Sequence, residues 1–114
     1  MDKRWTEQRK KELLDSRLIP TQILVSAIQD SKEPPEVLVS GSAIGIYPTN
    51  NQNSLDENYT GPAADNFSGK LCDDWEKEAK KLNVPGTRLV LIRTGIVLGP
   101  NGGALSQMMT PFKV

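Results

Sequence analysis

Histidine is absent from this 114-residue sequence, and cysteine occurs once, at Cys72. Those two absences exclude much chemistry. A zinc site built from Cys and His cannot form within one chain. A catalytic triad or dyad that relies on histidine is equally excluded, as is an intrachain disulfide. Charge of one sign is also lacking: Lys plus Arg number 14, Asp plus Glu number 14, and the formal net charge is zero. A nucleic-acid binder should show a basic excess, and a membrane-surface arm a block of like charge. No apolar run approaches the ~20 residues of a membrane span. The charged start MDKRWTEQRKKE does not read as a signal peptide. The expectation is a cytoplasmic, reduced protein that binds neither nucleic acid nor membrane and carries no metal.

What is present alternates between helix and strand. Residues 4–30 read as helix, with Leu13, Leu14, Ile23, Leu24, Ala27 and Ile28 forming an apolar face. Pro20 lacks a backbone donor and clashes with the preceding turn, so a kink or a break into two helices is expected there. Val37-Leu38-Val39 is a short strand that runs into Ser40-Gly41-Ser42. Residues 48–65 form a long polar loop, a length often found in lids and binding loops. Asp65 or Asn66 can cap the next helix, whose stripe runs Phe67, Leu71, Trp75, Ala79 and Leu82. Val84-Pro85-Gly86 stops it, Leu89–Ile92 is a second apolar strand, and 99–103 is turn-rich. The end, 104–114, reads as one or two helical turns and then coil.

Helix, strand, helix, strand is an α/β order, and continuous apolar strands are those buried on both faces in a parallel sheet. Two strands, however, rarely make a stable sheet alone. Unpaired apolar strands also recruit other chains, so homo-oligomers are expected.

Four segments together resemble one family: 4–28 (RWTEQRKKELLDSRLIPTQILVSAI), 37–48 (VLVSGSAIGIYP), 74–76 (DWE) and 88–105 (RLVLIRTGIVLGPNGGAL). The family is the epimerase-like branch of the extended short-chain dehydrogenase/reductase superfamily, whose members are labelled sugar-nucleotide epimerase-like. The resemblance implies part of a Rossmann-type doubly wound parallel sheet that binds NAD or NADP. Residues 1–114 match its central part, without the amino-terminal glycine-rich half or the carboxyl-terminal substrate lobe. Gly99-Pro100-Asn101-Gly102-Gly103 does not replace the missing phosphate loop, since it lacks the spacing and follows a late strand. It reads as a tight turn.

The same resemblance places candidate site residues. Ser42 matches the hydroxyl that hydrogen-bonds the reacting carbonyl or alcohol, with Gly41 letting ligand approach the backbone; Ser40 lies beside it. Alternatively, both serines only satisfy strand-end backbone groups. The family's acid–base Tyr and Lys fall, by alignment on Trp75-Glu76, at Ser68 and Cys72; if Lys70 is taken as the lysine, its partner is Asn66, and neither register supplies a phenol–ammonium pair. Tyr47 is a weaker candidate, from the loop. Arg17, four residues before Thr21, stands where many relatives carry an Asn, and its guanidinium suits a ribose, a phosphate or a substrate phosphate. Glu12 could accept from a ribose hydroxyl or pair with Arg17. Thr94 and Gly95 match the segment whose backbone borders the nicotinamide. The expected ligands are therefore NAD or NADP and a small nucleotide or nucleotide-sugar. A non-catalytic NAD(P)-dependent sensor or scaffold, or a ligand-free assembly piece, is the alternative.

Overall fold

The structure, a computed structural model, describes residues 5–49 and 53–112. Helix α1 spans Glu7–Asp30, strand β1 Val37–Ala43, helix α2 Phe67–Lys80, strand β2 Arg88–Thr94 and helix α3 Ala104–Met109. Short 3-10 turns follow β1 (Ile44–Ile46) and α3 (Thr110–Phe112). The strands pair in parallel, with Val37 opposite Arg88 and Ala43 opposite Thr94. The α/β order and the parallel pairing are those the sequence implies. Arg4, the first residue of the expected helix, lies outside the described residues.

Helix α1 begins where Thr6 Oγ1 accepts a hydrogen bond from the Arg9 amide at 3.2 Å, a side-chain cap of the usual kind. It does not break at Pro20: one helix runs through it. Pro20 removes the bond to the Ser16 carbonyl. Both residues are exposed, so water can satisfy that carbonyl at little cost. The inner face also differs from expectation. Leu13, Thr21, Val25 and Ile28 are buried, whereas Ile23 and Leu24 are 63% and 53% exposed. The reason is packing: α1 lies against α2, and the contact selects the 13–17–21–25–28 stripe over its apolar neighbour.

Strand β1 continues past Val39 to Ala43, so the serines sit inside the strand rather than ending it. Alternation places Leu38, Ser40 and Ser42 on one face with Leu89, Leu91 and Arg93. Helix α2 packs on both strands. The other face stays open, with Val37, Val39 and Ile92 at 37%, 57% and 51% exposure. The strands are thus covered on one face, not two, because the described residues hold only two long helices and these pack on each other.

Asn66 caps α2, its Oδ1 accepting from the Gly69 amide at 2.8 Å. Gly69 is required here for a second reason: a Cβ would collide with the Ala64 carbonyl, which is backbone and cannot swing aside. Ala64 is itself pinned, its amide donating to the Ile46 carbonyl at 2.9 Å. The end of the long loop is therefore clamped between the 3-10 turn after β1 and α2. Helix α2 ends before Leu82, slightly earlier than the stripe suggests.

Candidate functional site

Glu76, on the inner face of α2, is 1% exposed and bonded at both carboxylate oxygens. Its Oε1 accepts from Ser42 Oγ at 2.6 Å and from Arg93 Nε at 2.8 Å. Its Oε2 accepts from Arg93 Nη2 at 3.1 Å, and Lys80 Nζ lies 3.7 Å away. Arg93 Nη1 donates to the Tyr47 hydroxyl at 2.9 Å, which donates in turn to the Asp56 carbonyl at 3.0 Å. Five residues from β1, the loop, α2 and β2 are thus joined in one network.

Burial pushes the Glu76 carboxyl up. The hydrogen bonds from Arg93 and Ser42, with the Arg93 and Lys80 charges, outweigh burial and hold it below the ordinary carboxylate value. The hydrogen bond to Glu76 raises Arg93 in turn, against burial. A buried acid fully bonded to a fork-shaped cation is a charge-assisted pair of the strong kind. Sequence reasoning missed both as functional groups. The available signal was an acid at 76 in the 72–76–79 inner stripe of a helix, with an arginine near the end of the second strand.

The consequence falls on the predicted residues. Ser42 is 3% exposed, and its one proton is committed to Glu76. Tyr47 is likewise engaged, by Arg93 and the Asp56 carbonyl. Gly41 is exposed and lines a crevice beside Arg17, and a Cβ there would stand 2.8 Å from Trp75 Cζ2, so only glycine leaves room for the indole.

Arg17 presents the opposite case. Its Nη1 donates to the Leu13 carbonyl at 3.1 Å and to Ser16 Oγ at 3.0 Å, and its guanidinium lies 5.6 Å from the Trp75 ring centroid. Among the described residues it meets no carboxylate. Glu12 does not reach it; that acid pairs with Arg9 at 3.0 Å on the exposed side of α1. Arg17 borders two crevices of about 200 Å³ and 180 Å³, one reaching Ser40 and Thr21, the other reaching Ala43, Ser68 and Cys72. The second holds the two positions where the family's acid–base pair would fall. Burial pushes the Cys72 thiol up, and the Glu76 charge adds to this, so the side chain is a poor nucleophile.

Thr94 and Gly95 are exposed at the carboxyl end of β2. Thr94 pairs with Ala43, which lines the smaller Arg17 crevice. The structure therefore brings Arg17, Ser40 and the Thr94 end toward one side of the molecule, and leaves Glu12 apart. The 99–103 segment is a tight turn, closed by a Gly99–Gly102 bridge with Gly102 and Gly103 at positive φ.

No known family profile matches the chain. It does match curated proteins. It is 38% identical over 112 residues to an epimerase family protein of Mycobacterium tuberculosis, covering 98% of this chain and 36% of that one. It is 38% identical to the mouse epimerase family protein SDR39U1, covering 98% of this chain and 38% of that one. The chain thus spans a little over a third of the length of these relatives. Among solved structures it superimposes on human epimerase family protein SDR39U1 (isoform 2), a structure containing NADPH, with a TM-score of 0.81 and 38% identity. The match covers 96% of this chain and 37% of that one. A nucleoside-diphosphate sugar epimerase from Corynebacterium glutamicum gives 0.73 at 28% identity, over 98% of this chain and 24% of that one. Over nearly its whole length, the chain is a homologue of part of the epimerase family proteins, the group its sequence motifs resemble.

Proposed function

We propose that the protein to which this chain belongs is an NAD(P)-binding, sugar-nucleotide epimerase-like protein. These residues supply the crevice near the nicotinamide end of the cofactor. The observation that carries this is Arg17: a half-buried guanidinium without an acidic partner among the described residues, at the rim of two crevices and over Trp75. A fork of donors without a carboxylate suits a phosphate or a ribose. Ser40 in the wall, and the exposed Thr94 and Gly95 one strand away, can border the same ligand. The NADPH in the human relative's structure supports the choice of dinucleotide.

The fit is partial. The residues suit the nicotinamide–ribose end, whereas the tight turn at 99–103 offers no cradle for a pyrophosphate, which is normally held at a helix amino terminus. Bound NAD(P) would supply hydride transfer; the chain's own residues would bind and orient it. Glu12, being remote and paired with Arg9, contributes at most at the edge.

A second reading is favoured by a specific observation. Ser68 and Cys72 occupy the acid–base positions, and Ser42 donates to Glu76 rather than to a substrate. Those features suit a protein that binds NAD(P) without turning over a sugar nucleotide. The open sheet face and unpaired strand edges further support self-association, and the single cysteine a cytoplasmic setting.

The test is NADPH titration of the longer protein. Arg17→Lys should weaken binding about tenfold, about 1.4 kcal/mol. Unchanged affinity in both Arg17→Lys and Arg17→Ala would refute the assignment. Turnover with sugar nucleotides separates enzyme from sensor.

A further inference from the structure

The smaller of the two crevices has a chemistry that does not suit a sugar. Its walls are Trp5, Leu13, Leu71 and Trp75, with Ala43 and Gly45 at the end of β1. The polar groups it offers are few: Arg17, the Ser68 hydroxyl and the Cys72 thiol. A sugar ring needs partners for several hydroxyls, and a hydroxyl buried without one is destabilising. The volume, about 180 Å³, is close to the roughly 150 Å³ at which an apolar cavity accepts benzene. One six-membered ring fits. The single charge at the wall is positive, and Arg17 Nε and Nη2 have no acceptor among the described residues.

We infer that this crevice binds a monocyclic carboxylate, its ring between Trp5 and Trp75 and its acid group on Arg17. The inference deepens the reading of Arg17 as an anion clamp and rests on it. The floor accounts for the size limit. A Cβ at Gly45 would lie 3.4 Å from Ser68 Cβ and 3.6 Å from Cys72 Sγ. That is ordinary contact distance, so Gly45→Ala should fill space without collision.

The chain contains two tryptophans, and both line the crevice, so their fluorescence reports its occupancy. The experiment titrates the chain with benzoate, benzamide and acetate, and separately the longer protein with NADPH, read at the nicotinamide emission. Benzoate should saturate with a Kd at or below about 1 mM, with benzamide and acetate at least tenfold weaker. Gly45→Ala should weaken benzoate at least fivefold and leave acetate unchanged; Arg17→Gln should make benzoate no better than benzamide. Benzoate binding no more tightly than benzamide to the unaltered chain would overturn the inference without recourse to any variant. If NADPH binds while benzoate does not, the inference fails and the cofactor reading stands. If benzoate behaves as expected while NADPH does not bind, the inference stands without it.

Discussion

Two arginines meet neighbouring residues of α2, Arg17 at Trp75 and Arg93 at Glu76, and differ in one respect. Arg93 spends Nε and Nη2 on Glu76 and Nη1 on Tyr47. Arg17 spends Nη1 alone, on its own helix. The first region is a circuit of polar groups that chiefly bond one another. The second is a cation held over Trp75 and left open to an anion. A saturated network fixes geometry; an unsaturated one recognises. By that criterion Ser42, which the family resemblance places in the reaction, has its proton spent within the network of this structure.

The largest effect should come from breaking the closed region. Glu76→Ala leaves Arg93 half-buried without its acid, and removing one partner of a buried pair costs about 3–5 kcal/mol. Urea unfolding of the chain should show a loss of that order. A loss below about 1 kcal/mol would mean that Glu76 is not the centre of the network. The pH dependence has a definite sign. The Glu76 carboxyl is held below its ordinary value of 4.5, so its contribution is complete above about pH 4.5 and is lost as pH falls through the lowered value. Glu76→Gln should flatten that acid limb. A limb equally steep in the variant would assign it to other carboxylates.

How much of this was legible beforehand differs between the two regions as well. The α/β order, the parallel sheet, the Asn66 cap and the burial of Cys72 follow from local pattern and turn chemistry. Arg17 could be singled out because it interrupts an expected helix face at a family position. The Glu76–Arg93 pair could not, because its members are 17 residues apart and meet only after α2 folds back onto β2. The apolar stripe expected for α2 runs through Leu71 and Trp75, whereas the buried positions are Gly69, Cys72, Glu76 and Ala79, because the acid is drawn inward by partners that periodicity does not show. The inner face of α1 was misread for a similar reason. Ile23 and Leu24 are as apolar as any residue in the helix, but α2 selects the adjacent stripe. Pro20 does not break the helix, because its cost depends on whether the freed carbonyl can reach water.

A smaller effect sharpens the comparison. Ser42→Ala removes a buried donor to a charged oxygen and should cost about 2 kcal/mol of stability while leaving NADPH affinity of the longer protein within about twofold. A tenfold loss of affinity with little change in stability would return Ser42 to the ligand site.

The most direct measurement is the thermal midpoint of the unaltered chain, Ser42→Ala and Arg17→Ala, each with and without phosphate. Phosphate strengthens burial in any protein by exclusion from the surface, and that part is common to all three. Ser42→Ala should melt lower yet keep the full phosphate-induced rise. Arg17→Ala should melt close to the unaltered chain and lose the rise beyond the common part. The reverse pattern, with Ser42→Ala losing the rise and Arg17→Ala keeping it, would contradict the division into a closed scaffold and an open anion site.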